Sequence, residues 1–449
     1  MKPSTSRILI FLFFCLIYGG YWRSYAIFTD EKASVFIANG IPTDNFAEGG
    51  GFLAERYDTI TPAEIAAENK ISTVYHNAIR DGGNGQLYYF IAHYTSLSLG
   101  RYIGVFNSLK LLSVIFSLIM VMAFHSFIRK FLSEKKAMIA SLVLIAVTVK
   151  FNIYIRNYAM SNMLLMFFFI ALFSFYESLT LKKEIKIKQY ILIFVIGTTL
   201  PFVHFFNALY VGFAGLPLLF FIAQRRAISK EIVFAGLSLS AAMAIFLSYY
   251  FFLNDEGRAY QSLINQYWKL SASLFGYGSN YWMPPFTLKY AVTENEELLL
   301  RLTGLDLRDA VRSIRLIFLL FTLAVPAILI FKLLKAKLTN EVEVFHLKTV
   351  QFCLLVCVIY IGFLNFIYYS TGHATALNSQ WYSSGLYVPF IFILAMVLKF
   401  TEAKNLRVLL YSYVFVVLLN SGIGAKTVVN RDVQSEKITL LLDKIENQF

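Results

Sequence analysis

Charged residues are scarce in this sequence of 449 residues, because Asp, Glu, Lys and Arg make up only 15% of it. Hydrophobic residues account for 58% and aromatic residues for 17%. So few charges cannot cover the surface of a folded chain of this length, which excludes a water-soluble globular protein. The long apolar runs instead predict an all-α polytopic membrane protein, in which residues 1–449 form a single integral membrane domain.

Cysteine is also scarce. The three cysteines each lie inside an apolar run, at Cys15, Cys353 and Cys357. The sequence contains no Cys-x-x-Cys pair and no cluster of cysteine with histidine. These cysteines are therefore expected to be small packing residues, which excludes a disulfide framework and a zinc site.

Among the charged residues, Lys and Arg outnumber Asp and Glu, which gives a formal net charge of +13. In a soluble protein this excess would suggest nucleic acid as a partner. Here the basic residues fall in short clusters between apolar runs, as is typical of cytoplasmic loops of membrane proteins. We therefore expect membrane lipids as partners and no nucleic acid.

The apolar runs predict about eleven helical spans. These are 7–28, 105–128, 137–154, 159–180, 189–203, 205–223, 231–253, 312–335, 347–369, 383–399 and 407–424. The first run follows Lys2 and Arg7 as a signal peptide would, but about twenty apolar residues favour a retained span.

With eleven spans, the Lys- and Arg-rich loops all fall on the same side of the membrane. They lie at 129–136, 182–188, 225–230, 332–348 and 399–407. The positive-inside rule makes this side cytoplasmic, so that the N-terminus is inside and the C-terminus outside.

Three segments are then external: the first loop at 29–104, the second loop at 254–311 and a short C-terminal tail at 425–449. In the first loop, a capping-box pattern at 61–64 precedes Ile71, Val74, Tyr75 and Ala78, which share one helical face. Residues 87–99 are apolar but short for a span. The loop is therefore expected to contain two interfacial helices. The second loop is rich in aromatics, which suits either stacking on a sugar or lipid, or anchoring at the interface.

Two adjacent acids, Asp30 and Glu31, come directly after the first apolar run. An ionised carboxylate at the hydrocarbon boundary gives up hydration, which favours a functional role. The alternative is an ordinary helix start, with Thr29 as the N-cap and the two acids in the favourable first turn.

Further polar residues interrupt the apolar runs on the same external side. They are Arg156 and Tyr158 between two spans, His204 at a tight turn, and Gln380 and Tyr382 before a late span. Taken singly, an interfacial arginine usually snorkels and a turn histidine is usually structural. Together they supply a cation, a base candidate and hydrogen-bonding groups, which transfer from a membrane-held phosphate ester would require.

These segments resemble the GT-C superfamily of polyprenyl-phosphate-sugar glycosyltransferases, which includes protein O-mannosyltransferases and lipid A aminoarabinose transferases. Asp30 and Glu31 are similar to the acidic motif that follows the first helix in that superfamily. Segment 81–89 lies where its members have a His-Pro-Pro-Leu-Tyr-Tyr type segment, and has Asn-Gly-Gln in place of His-Pro-Pro. Residues 155–158 resemble its Arg-x-Tyr segment and residues 203–205 its histidine turn. Residues 380–389 resemble its late Arg-Tyr…Pro helix, with glutamine in place of the arginine.

The resemblance implies sugar transfer from a polyprenyl-phosphate donor to a glycan, lipid or protein acceptor, with inversion. It implies Asp30 as the general base. It implies that Glu31 positions the acceptor, orients Asp30 or binds a cation. A divalent cation is the only cofactor that the resemblance suggests. Arg156 would offset charge on the departing phosphate. The further substrate-binding residues would be Asp81, Asn84, Gln86, Tyr158, His204, Gln380 and Tyr382. The location implied is a bacterial cytoplasmic (inner) membrane, with the active face outside.

Two other functions fit parts of the sequence. A transporter or lipid-linked saccharide flippase would also carry polar residues in spans, but such proteins tend to have internal repeats and charges in mid-span, and neither is evident here. A membrane polymerase or acyltransferase that uses the same lipid-linked sugars also stays open.

Overall fold

The computed structural model describes residues 3–23, 29–40, 70–80, 85–181, 183–215, 229–254, 341–371 and 384–400, with single positions at 331, 408, 411–412, 414–415 and 417–418. These residues are helical or form short turns, and no β-strand occurs among them. The α-helices are α1 (Pro3–Arg23), α2 (Thr29–Ala38), α3 (Ile71–Arg80), α4 (Gln86–Ile103), α5 (Val105–Ile128), α6 (Glu134–Asn152), α7 (Tyr158–Thr180), α8 (Ile187–Val203), α9 (Asn207–Phe213), α10 (Lys230–Ser248), α11 (Glu341–Thr371) and α12 (Tyr387–Phe400). A π-helical segment, Tyr249–Leu253, extends α10, and a 3₁₀ turn, Ser384–Leu386, precedes α12.

Among the described residues, five helices are long and apolar enough to cross a membrane. The candidate spans are Pro3–Trp22, Val105–Ile128, Tyr158–Thr180, Lys230–Phe252 and His346–Phe366. Two shorter apolar helices cover Ile187–Val203 and Ser384–Lys399. The predicted all-helical architecture is therefore confirmed over the described residues, whereas the count of eleven spans stays a prediction. Most of the predicted spans 312–335 and 407–424 lies outside the described residues.

Tight connections make α5, α6, α7 and α8 run in alternating directions. The longest of these connections has only six residues, between α7 and α8. Connections this short place consecutive helices beside each other and antiparallel. As a result, the 153–157 turn between α6 and α7 lies at the opposite end of the bundle from the 129–133 connection between α5 and α6.

Basic side chains gather at the end of the bundle that holds the 129–133 connection. Glu134 at the start of α6 pairs with Arg129, with 2.7 Å between Oε2 and Nε. Lys136 donates to the backbone carbonyl of Lys399 at 3.3 Å, and the Lys399 Nζ lies 2.9 Å from His346 Nδ1. These contacts bring the start of α6, the start of α11 and the end of α12 together, and we call this the basic end.

Aromatic side chains form the centre of the core between α7, α11 and α12. The rings of Phe173 and Phe392 meet edge to face with centroids 4.8 Å apart, and Phe169 stacks on Phe352 at 5.9 Å. All four side chains are buried. Interlocked aromatic rings of this kind fix the relative rotation of the helices.

Three helices, α2, α3 and α4, occupy the described part of the predicted first external loop, and α3 and α4 correspond to the two predicted interfacial helices. In α3, Val74 and Ala78 are buried as the pattern indicates, but Ile71 and Tyr75 are exposed. The buried face is rotated because α3 packs on α4, which brings Asn77 inward instead. The second predicted interfacial helix corresponds to α4, which extends beyond the predicted 87–99 on both sides. It ends at Ile103, because the following Gly104 has a φ of 84°.

Candidate functional site

The short helix α2 is attached to the 153–157 turn by one of its two acids. Glu31 has no exposed surface, and its Oε1 accepts a hydrogen bond from the backbone N–H of Ile155 at 2.7 Å. Glu31 lies in the first turn of α2, where the helix dipole favours a negative charge. The carboxylate therefore fixes the start of α2 against a turn that is distant in sequence.

Arg156, the next residue of that turn, contacts α2 and α4 at once. Its Nη1 donates to Ser34 Oγ at 3.2 Å and to Tyr89 Oη at 3.3 Å. Ser34 follows Glu31 by three residues, so both lie on the same face of α2. The side chain of Arg156 is only partly buried, unlike that of Glu31. The turn thus presents a partly accessible guanidinium beside an acid-bearing helix.

The other end of α2 is held by α4. His93 Nδ1 lies 2.8 Å from the carbonyl oxygen of Ala38, one of the last carbonyls of α2, which lack partners within the helix. Asn39, which directly follows α2, donates through Nδ2 to the carbonyl of Val35 at 2.7 Å. A ten-residue helix is too short to be stable alone. Contacts at both of its ends therefore determine where it lies.

The 153–157 turn is itself fixed from two sides. Ser113 Oγ of α5 donates to the carbonyl of Tyr154 at 2.9 Å, and Asn157 Nδ2 donates to the carbonyl of Val203 at 2.5 Å. Gly85 packs against Asn157 with a φ of 72°, and a Cβ there would lie 3.2 Å from Asn157 Nδ2. Glycine is therefore required where α4 approaches the turn.

Tyr158 and His204 form an aromatic wall beside Arg156. The guanidinium carbon of Arg156 lies 5.9 Å from the centre of the Tyr158 ring, and the Tyr158 and His204 rings are 6.0 Å apart. His204 is 6% exposed, stacks on Phe205 and accepts a long hydrogen bond from the N–H of Phe206 at Nδ1, at 3.3 Å. Burial, and secondarily the charge of Arg156, lowers the pKa of His204 to about 3. His204 is thus a neutral imidazole at physiological pH, unsuited to act as a cation.

The depressed pKa of His204 predicts a pH dependence of stability. Between its ordinary value of 6.5 and about 3, the unfolded chain binds a proton at this side chain and the folded chain does not. The contribution to stability is therefore complete above pH 6.5 and falls as the pH is lowered towards 3. In His204→Phe, the unfolding midpoint should vary less with pH over this range than in the wild type, as measured by thermal unfolding in detergent. An equal acid sensitivity in the two proteins would contradict the assignment.

Gln86, predicted to bind substrate, is engaged within the protein. It is 5% exposed, and its Nε2 donates to the hydroxyl of Tyr249 in the π-helical segment. The Tyr249 ring in turn meets Phe202 with centroids 5.1 Å apart. Gln86 precedes Tyr89 by one helical turn on α4. It therefore connects the candidate site to α10, and a role in substrate binding stays a prediction.

The described residues bring Glu31, Arg156, Tyr158 and His204 together at the end of the bundle opposite the basic end. Asp30 lies in the first turn of α2, one residue before Glu31. Four predicted substrate-binding residues lie outside the described residues: Asp81, Asn84, Gln380 and Tyr382. Over the part of the chain that the structure describes, no group of three or more His, Cys, Asp or Glu side chains could hold a metal ion.

Two contact residues of the site, Ser34 and Tyr89, were not identified from the sequence, and neither was Lys110 on the neighbouring helix α5. A weak signal existed for two of them, because Ser34 follows Glu31 by one turn and Lys110 is a lone charge near the start of a long apolar run. No protein-family model matches this sequence, and a search of curated proteins finds no match. The function must therefore be inferred from the chemistry of the residues themselves.

Proposed function

We propose that this chain is a glycosyltransferase that moves a sugar from a polyprenyl-phosphate donor to an acceptor at the outer face of a bacterial cytoplasmic membrane. The observation that carries the proposal is the pairing of the 153–157 turn with α2. Through Ile155 and Arg156 this turn holds both Glu31 and Ser34, so that a guanidinium and an acidic helix start share one place. The guanidinium can offset the charge that develops on a phosphate leaving group, and an acid at the helix start can accept the proton of an acceptor hydroxyl.

The proposed reaction is a single displacement. The acceptor oxygen attacks the anomeric carbon as its proton passes to Asp30, and the bond from that carbon to the phosphate oxygen breaks with its electron pair leaving on the phosphate. Attack from the side opposite the leaving group inverts the anomeric centre. Arg156 offsets the growing charge on the phosphate, for which a guanidinium is well suited. Tyr158 would bind the phosphate or the sugar, together with the further predicted substrate-binding residues.

The contacts of Glu31 favour one of the roles considered for it. A carboxylate that is fully buried and bonded to the N–H of Ile155 is suited to orient α2, and with it Asp30. It is less suited to contact an acceptor directly. A divalent cation at the donor phosphate would add to the charge of Arg156, and comparing turnover with and without a chelator tests for one.

We further propose that the basic end faces the cytoplasm, since Lys and Arg are enriched on that side of membrane proteins. A reporter fused after Lys136 or Lys337 should then read cytoplasmic. A reporter fused after Asn280 or at Phe449 should read external. An external reading at Lys136 would contradict this orientation and would indicate that α4 crosses the membrane.

The second candidate function is a transporter or lipid-linked saccharide flippase. Lys110 favours it to some degree, because it is a buried charge within a candidate span, and such residues often mark transport paths. Reconstitution in liposomes separates the two functions. A flippase moves a polyprenyl-phosphate sugar between leaflets without consuming it, whereas a transferase consumes it and releases the lipid phosphate once an acceptor is supplied.

A further inference from the structure

Lys110 is a buried cation that the proposed reaction does not use. It is the sixth residue of α5, it lies within the candidate span Val105–Ile128, and it is 2% exposed. A lysine buried in a membrane protein is costly unless an opposite charge or carbonyl groups compensate it. Its neighbours therefore indicate its role.

One neighbour is the end of α1. Lys110 Nζ donates to the carbonyl oxygen of Trp22 at 3.2 Å and lies over the Trp22 ring, 5.2 Å from its centre. The Phe106 ring is at a similar distance, 5.5 Å. Carbonyls in the last turn of a helix lack partners within it and carry the negative end of its dipole, which a cation complements.

The second neighbour is Glu31. The helix α2 packs against α5. On α5, Ser113 lies one helical turn after Lys110 and donates to the carbonyl of Tyr154, the residue before Ile155, whose N–H holds the Glu31 carboxylate. Glu31 has no exposed surface, and the N–H of Ile155 is a neutral donor. A buried carboxylate stays ionised more readily beside a cation. Among the described residues, Arg156 is a second cation close to α2, since it donates to Ser34.

We infer that Lys110 is the counter-charge of Glu31 and thereby a positioning residue of the candidate site. The Lys110 ammonium joins the end of α1 to the start of α2. Glu31 in turn fixes the 153–157 turn against α2, because its carboxylate accepts the hydrogen bond from the N–H of Ile155. Lys110 thus acts on Arg156 through another residue and touches no substrate.

The test is a double-mutant cycle on the purified full-length protein, read by thermal unfolding in detergent. The variants are Lys110→Met, Glu31→Gln and the double variant. Removing one member of a buried charge pair leaves the other uncompensated, whereas removing both does not. We expect Lys110→Met to lower the unfolding midpoint, and the double variant to unfold at a higher temperature than Lys110→Met alone. Lys110→Arg, which keeps the charge, should retain most of the stability.

Lys188→Met is the matched control, because Lys188 is exposed in the first turn of α8 and its loss should leave the midpoint nearly unchanged. If Lys110 serves only the carbonyl of Trp22, its substitution will cost the same with and without Glu31→Gln, and that additivity would overturn the inference. If Lys110→Met yields no folded protein, recovery of folded protein in the double variant supports the pair, and failure to recover it counts against the pair. The assay needs no substrate, so its outcome is separate from that of the proposed reaction.

Discussion

Asp30→Asn should reduce turnover by about 10²–10⁴-fold, the range typical of general-base catalysis. Asparagine keeps the size of the side chain and its ability to hydrogen-bond, but it cannot accept the proton of an acceptor hydroxyl. Binding of the donor should therefore be largely unchanged. The measurement is the turnover of a polyprenyl-phosphate sugar, with donor binding determined separately. Wild-type turnover in Asp30→Asn would rule out the proposed mechanism.

Glu31→Gln is the matched control for that experiment. The amide oxygen of glutamine can still accept the hydrogen bond from the N–H of Ile155, so the attachment of α2 to the turn is preserved in shape. The substitution removes only the charge, and we expect a smaller loss of turnover than in Asp30→Asn. Adjacent residues on a helix point about 100° apart, so one acid faces the donor directly. A selective loss in Glu31→Gln would exchange the two roles.

Arg156→Ala should weaken use of the donor by about 10- to 100-fold, since hydrogen bonds to charged groups contribute roughly 1.5–3 kcal/mol. The structure adds a second consequence. Arg156 also donates to Ser34 and Tyr89, so its loss removes contacts that hold α2 and α4. Arg156→Lys should restore donor use only in part, because an ammonium lacks the planar fork that binds phosphate. The measurement is donor concentration dependence, with folding checked by thermal unfolding.

Ser34→Ala separates the two consequences of losing Arg156. It removes one contact of the guanidinium and leaves its charge in place. Its effect on donor use should be clearly smaller than that of Arg156→Ala. Full activity in Arg156→Ala would exclude a role in phosphate binding, and so would a failure of that variant to fold, which would make Arg156 a structural residue.

The long apolar helices could be predicted from the sequence because their length and composition define them. The predicted span 105–128 has the bounds of α5, and the predicted span 159–180 differs from α7 by one residue. The rotation of shorter helices was less predictable. The side chains of α3 that face inward are selected by its packing on α4, and its own hydrophobic pattern is too short to specify this.

For the site, sequence order could predict which residues share one end of the bundle. Arg156 and His204 each occupy a tight turn between apolar runs, and the structure brings them close through Tyr158. The contacts of the site were not predictable in the same way. Gln86 and Tyr249 are far apart in sequence, and their hydrogen bond depends on how α10 and its π-helical segment lie against α4. The roles of Ser34 and Lys110 follow from the packing of α2 against the other helices, which the sequence alone does not reveal.

The most direct test of the proposed glycosyltransferase activity is the release of lipid phosphate. The purified wild-type protein, in detergent or liposomes, is incubated with a small panel of polyprenyl-phosphate sugars and candidate acceptors, beside Asp30→Asn as the inactive control. We expect the wild type to release polyprenyl phosphate from at least one donor, in proportion to the sugar transferred, and Asp30→Asn to release far less. Donors that bind the wild-type protein and remain intact with every acceptor, or equal release by Asp30→Asn, would contradict this expectation.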